Sequence, residues 1–141
     1  MTIKQLYRKV KVMNEESLIK QALSETQDEL ADVNRDRMLD GVKANGVEMP
    51  PYSLRSVNEF GKIPGPIRLL DTGAFQQNIK VNIQGDIVIT ESLDSKNDLL
   101  VNNYGEEIFG TFGQYKAKYI DIDLRPVFHR LITKATGLKF R

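Results

Sequence analysis

A chain of 141 residues with 40% hydrophobic and 28% charged side chains has the size and make-up of one soluble globular domain. Twenty Lys and Arg against nineteen Asp and Glu leave a net charge of +1, which argues against a broad electrostatic grip on nucleic acid. The absence of cysteine removes disulfides and thiolate chemistry and suits a reducing cytosol, while no apolar run approaches the roughly 20 residues of a membrane span and no signal peptide is expected.

The first stretch, residues 1–13, contains "TIKQLYRKVKVM" and alternates well enough to be expected as a strand or a free arm. It carries a basic cluster, Lys4, Arg8, Lys9 and Lys11, matched at the far end by Lys134, Lys139 and Arg141; both read as solvated termini. Residues 14–141 then form a single domain. "NEESLIKQALSETQDELADVNRDRML" predicts one long amphipathic helix, with Asn14 as its cap and Glu15 and Glu16 in the first turn, where the helix dipole favours negative charge. Ile19, Leu23, Thr26, Leu30 and Val33 fall on one stripe.

Residues 41–68 break every regular pattern with Gly41, Asn45-Gly46, Pro50-Pro51, Gly61 and Pro64-Gly65-Pro66. So long an irregular segment is expected to be an extended loop with a contact or functional use. Beyond it Ile79, Val81 and Ile83 alternate with polar residues, "QGD" turns the chain and "IVIT" returns, which predicts a β-hairpin. "SLDSKNDLLVNNYG" reads as a short helix closed by Gly105, and "EEIFG" and "KAKYIDID" as two further strands. The last segment, "LRPVFHRLITKATG", predicts a helix with Pro126 in its first turn, Gly137 at its end, and Phe128, Leu131, Ile132 and Ala135 on its buried face. The expected fold is α+β: a long N-terminal helix and a C-terminal helix packed on a small antiparallel sheet, with a long irregular loop.

The stretch "IRLLDTGAF" raises the sharpest chemical question, because Asp-Thr-Gly after apolar residues is how a retropepsin-type aspartic protease builds its catalytic turn. That chemistry needs two carboxylates sharing a proton across a dimer axis. A nearly all-β chain with an early Asp turn would be required, whereas here some 70 residues, half of them helical in pattern, come first. The structural reading is a turn in which Asp71 accepts backbone N–H bonds or caps the short turn after it, and Gly73 supplies a positive φ. His129, the only histidine, has no nucleophile motif to serve and reads as a partly exposed helical residue. Asp121 and Asp123 read as a solvated strand face. Neither a metal-ligand set nor a phosphate loop is present, so no cofactor is expected.

Taken in order, "LADVNRDRMLDGVKANGVEMPPYS", "IRLLDTGAFQQNIKV", "VNNYGEEIFG" and "LRPVFHRLITKATG" resemble bacteriophage neck proteins, the tail-completion, head–tail joining and tail-terminator group. The likeness spans roughly residues 27–138, and the Asn45–Ser53 loop is similar to versions from phages of gut Bacteroidetes-type hosts. The resemblance implies a structural part of the virion neck rather than an enzyme, made in the host cytoplasm. It implies a ring of copies at the portal vertex, contacting portal, adaptor or tail-tube proteins, with DNA only as passing cargo and no membrane. On this reading Asp71, Thr72 and Gly73 form the structural turn. Tyr52, Ser53, Phe75, Tyr104, Gly105, Arg125 and Pro126 are the interface candidates, Arg125 also as a carboxylate partner. The homodimeric protease using Asp71 stands as the alternative.

Overall fold

The structure, a computed structural model, describes residues 1–138; Lys139 and Arg141 of the C-terminal basic cluster lie outside the described residues. The fold is α+β: helices surround one small antiparallel sheet of two strands.

The N-terminal stretch is helical, not a strand. Helix α1 (Ile3–Val12) opens with a reciprocal capping box, the Thr2 hydroxyl accepting from the Gln5 N–H and the Gln5 side chain accepting from the Thr2 N–H. Ile3, Leu6, Tyr7 and Val10 repeat at helical spacing, and this overrides the local Lys-Val-Lys-Val alternation.

The expected long helix is two. Helix α2 (Glu15–Glu25), capped by Asn14, ends at Thr26, and α3 (Gln27–Leu39) begins directly after it. Thr26 leaves helical geometry (φ −114°, ψ 19°) and turns its hydroxyl onto the Ala22 carbonyl at 2.8 Å, a local bond that competes with the helical ladder. Of the predicted stripe, Thr26, Leu30 and Val33 are buried and Leu23 is half-buried, while Ile19 remains 43% exposed.

Residues 41–68 are not structureless. Ser53 caps α4 (Leu54–Phe60), accepting from the Ser56 N–H at 3.1 Å. Backbone bonds stitch the segment down: Met49 N–H to Gly41 O, Ile67 N–H to Pro50 O, Tyr52 N–H to Gly65 O and Ala44 N–H to Glu107 O. Met49 enters the core.

The hairpin forms as the alternation predicts. Strand β1 (Ile79–Gln84) pairs with β2 (Ile87–Ser92), Ile79 opposite Ser92 and Gln84 opposite Ile87, around a Gly85-Asp86 turn. Ile79 and Val81 point into the core, which α3 closes from one side. The turn helix α5 (Ala74–Gln77) leads into β1, and α6 (Asn97–Tyr104), closed by Gly105, follows β2.

Two predicted strands are helical instead. "EEIFG" contains a 3₁₀ turn, Glu106–Ile108, that drives Ile108 into the core. "KAKYIDID" belongs to a continuous helical run: α7 (Gly113–Lys118), a π turn (Tyr119–Leu124) and α8 (Arg125–Thr136). The wide turn has a cause in Pro126. Arg125 gives its N–H to Ile120 O, five residues back, and Pro126 has no N–H to continue an α register. Asp121 and Asp123 therefore lie on a helix, not along a strand. On α8, Leu131 and Thr136 are the buried residues and Phe128 and Ile132 are half-buried; Ala135, expected inside, is exposed because the inward stripe ends on Thr136.

Candidate functional site

The chain before α5 is bent by two unusual backbone angles. Leu69 has φ 55°, rare for a residue with a branched side chain, and Gly73 has φ 86°. The amide nitrogen of Gln76 donates to the carbonyls of Arg68 and Leu69, so a buried side chain fastens the bend from within. Arg35 of α3 holds the other side, donating from Nε to Gln76 O at 2.6 Å and from its fork to Ile79 O at 3.0 Å. Ser92 at the end of β2 donates to Phe75 O at 2.7 Å. The root of the hairpin is thus tied to α3 and to its own second strand.

Asp71 shapes this bend differently from the expected Asx-turn or cap. The capping position of α5 is Gly73, without a side-chain bond, and the local hydroxyl contact comes from Thr72, which accepts from the Ala74 N–H at 3.3 Å. Asp71 is exposed and points to two lysines, Lys96 at 3.1 Å and Lys62 at 3.8 Å. The hydrogen bond and charge of Lys96, then the charge of Lys62, hold its carboxyl below the ordinary aspartate range. Lys62 also donates to Leu70 O at 2.7 Å and sits 5.9 Å above the Tyr52 ring. The Tyr52 hydroxyl accepts from the Arg68 N–H, and Lys43 donates to Tyr104 O at 2.7 Å.

Several sequence candidates meet here. Tyr52, Asp71, Thr72, Gly73, Phe75 and Tyr104 line one cleft, together with Lys62, Gln76 and Lys96. Its volume is about 180 Å³, below the roughly 300 Å³ at which pockets for drug-sized ligands begin. A shared-proton carboxylate pair needs one acid held protonated, and two lysines do the reverse to Asp71. Ser53 stays outside the cleft, at the start of α4.

Arg125 and Pro126 lie elsewhere, at the junction of the π turn and α8. Arg125 pairs with Asp121 at 2.9 Å and lines a separate groove with Ile19, Ile120, Phe128 and the half-buried His129. Nearby Asp123 is pushed above the ordinary aspartate range by partial burial and by the charge of Glu29.

The sequence reading missed Arg37. Its guanidinium is buried at α3's inner face and donates to three carbonyls, Gly110 at 2.9 Å and also Val42 and Ile108. Asn34 beside it accepts from the Gly110 N–H at 2.7 Å. A signal existed: Leu30, Asn34 and Arg37 continue the apolar stripe at helical spacing, so a charged group fell on a core position. For Lys62 and Lys96 no local signal existed, because their partner lies 9 and 25 residues away in sequence.

Among the described residues no group of three His, Asp or Glu could hold a metal ion, and no helix is long and apolar enough to cross a membrane. Comparison with protein-family models, with curated proteins and with solved structures gives no match.

Proposed function

We propose that this chain is a structural protein of a tailed-phage virion, a subunit of a neck ring that joins the portal and head to the tail as a connector, completion protein or terminator. The observation that carries the reading is the convergence of its motifs. Tyr52, the Asp71-Thr72-Gly73 bend, Phe75 and Tyr104 belong to separate neck-like stretches of the sequence, and all six residues border one cleft at the root of the hairpin. Residues scattered over more than 50 positions that meet at one support point suit a scaffold whose purpose is to present a hairpin rigidly.

The hairpin itself favours assembly. A two-stranded sheet is marginal in isolation and leaves ladder groups on its outer edges. Strand β2 carries Ile87 and Val88 exposed, 63% and 45%, so a neighbour's strand or loop would bury apolar surface as it completes the ladder. The partners of this reading are further copies and the portal, adaptor or tail-tube subunits above and below; DNA passes as cargo.

Negative-stain imaging of the purified protein tests the reading. Closed rings with a central channel are expected, at high protein concentration or on addition of the proteins encoded beside it. Particles that stay monomeric under both conditions would overturn it.

A further inference from the structure

The charges of this nearly neutral chain are segregated. Helix α1 carries Lys4, Arg8 and Lys11 on one side and no acidic residue, and none of the three makes an ion pair among the described residues. Beside them runs an apolar stripe, Ile3, Tyr7 and Val10, left 88%, 64% and 41% exposed. No residue of α1 is buried, and its own chain touches it mainly through α8, where a Cβ on Gly137 would meet Met1 Cε at 3.3 Å.

Helix α3 presents the opposite pattern. Asp28, Asp32, Asp36 and Asp40 recur every fourth residue along its exposed side. Asp36 and Asp40 border a shallow groove in which Leu39 is exposed and Val33 forms the buried floor, closed across the way by Tyr115 and Lys118 of α7. At 1.5 Å per residue the aspartate row is about 18 Å long and the Lys4–Lys11 row about 10 Å, so one fits within the other. Two of the acids have local bonds, Asp32 to Arg35 and Asp40 to the Tyr115 hydroxyl. Asp28 and Asp36 make no ion pair among the described residues.

We infer that α1 of one copy docks along the α3 groove of the next, setting its cations against the aspartate row and its apolar stripe against the exposed Leu39. The occupant is a second copy of this chain because the molecule itself carries both halves of the match, an aspartate row beside an exposed leucine and a basic row beside an exposed apolar stripe. A lipid surface or a nucleic acid would account for the basic helix and leave the acidic groove unexplained. The two surfaces differ, so the contact runs head to tail and closes as a ring or continues as a filament. This contact deepens the proposed ring and rests on that reading for closure, not for the docking itself.

The test uses the full chain and two charge-reversed variants, K4E/R8E/K11E and D28K/D36K, each checked by circular dichroism for an unchanged fold. Sedimentation velocity at low salt is expected to show concentration-dependent association of the wild type. Raising salt to about 0.5 M should weaken it at least about ten-fold, since the Debye length then shortens to a few ångströms. Each variant alone should lose association about ten-fold or more, and an equimolar mixture should regain it, because reversed α1 then meets reversed α3. Variants that assemble and image as rings like the wild type would overturn this contact while leaving the neck reading intact. A wild type that forms neither oligomers nor rings overturns both. If the first variant alone loses binding to vesicles of anionic lipid or to duplex DNA and mixing restores nothing, the basic helix serves that surface and the proposal fails.

Discussion

The hydroxyl of Tyr119 lies 2.7 Å from that of Thr26, joining the break between α2 and α3 to the π turn 93 residues later. Thr26 already donates its proton to Ala22 O, so Tyr119 is the donor and Thr26 the acceptor. The two deletions are therefore unequal. Tyr119→Phe leaves Thr26 with its own bond intact and should cost about 1 kcal/mol, whereas Thr26→Ala strands a buried phenol and should cost roughly 1–3 kcal/mol. Urea unfolding of both single variants and the double variant measures this, and a larger loss for Tyr119→Phe would reverse the assigned direction.

Arg37 makes a second, stronger prediction. Its three acceptors are all backbone carbonyls, of Val42, Ile108 and Gly110, so no side-chain substitution removes the partners together with the donor. Arg37→Met keeps much of the volume but leaves those carbonyls, one buried and two partly buried, without their donor, which should cost roughly 3 kcal/mol or more. Arg37→Lys offers a point donor where a planar fork is needed and should fall between the two. Burial lowers the Arg37 pKa to about 10, a sign that desolvation opposes the charge; the retained bonds have to outweigh it. Equal stability of Arg37→Met and the wild type in urea would show that they do not.

The legible parts of this fold were those where one period and one stop signal agree. Residues 79–92 alternate and turn at Gly85-Asp86; α6 runs into Gly105; the last helix ends at Gly137. The misread parts are those where a short alternation imitates a strand. Lys9-Val10-Lys11-Val12 hid a helix whose capping box, Thr2 and Gln5, was visible. Tyr119-Ile120-Asp121-Ile122-Asp123 hid another, where the π turn shifts the register so that no 3.6-residue stripe crosses it. At the cleft, the tripeptide 71–73 stood out in the sequence, but the residues that fix its electrostatics, Lys62 and Lys96, are brought there only by the tertiary fold.

Gly41 connects α3 to the irregular segment, with φ 71° and no room for a side chain. A Cβ there would sit 2.6 Å from Pro66 Cγ and 2.7 Å from Pro66 Cβ, and a proline ring cannot swing aside. Left-handed backbone strain of about 1–2 kcal/mol adds to an overpacking cost of about 1–3 kcal/mol, so Gly41→Ala should destabilise by roughly 2–5 kcal/mol. Because Gly41 O also accepts the Met49 N–H, hydrogen exchange of that amide should quicken. Unchanged exchange at Met49, with unchanged stability, would mean that the segment is not anchored through this glycine.

Two aspartates should respond to acid with opposite signs. Asp71 has its carboxyl lowered by Lys96 and Lys62, so the folded state favours the ionised form. The stability this contributes is present above the unfolded aspartate value, about 3.9, and is lost as pH falls through the folded value. Asp123 has its carboxyl raised, first by partial burial and then by Glu29, so the folded state favours the protonated form. Its ionisation therefore removes stability as pH rises from about 3.9 through the folded value, and the penalty persists at neutral pH. Melting temperatures measured from about pH 2.5 to 8 should show Asp71→Asn slightly below the wild type at neutral pH and level with it in acid. Asp123→Asn should lie slightly above at neutral pH, with its advantage gone in acid. Asp71 is exposed and Asp123 only half-buried, so solvent screening keeps both effects small. Asp71→Asn should also leave ring formation intact, since the bend is fastened by Gln76, Thr72 and Arg35. A gain at neutral pH from Asp71→Asn would mean that the lysines do not hold this carboxylate. Pepstatin-sensitive peptide cleavage by the wild type, abolished by the same substitution, would replace the neck reading with the protease.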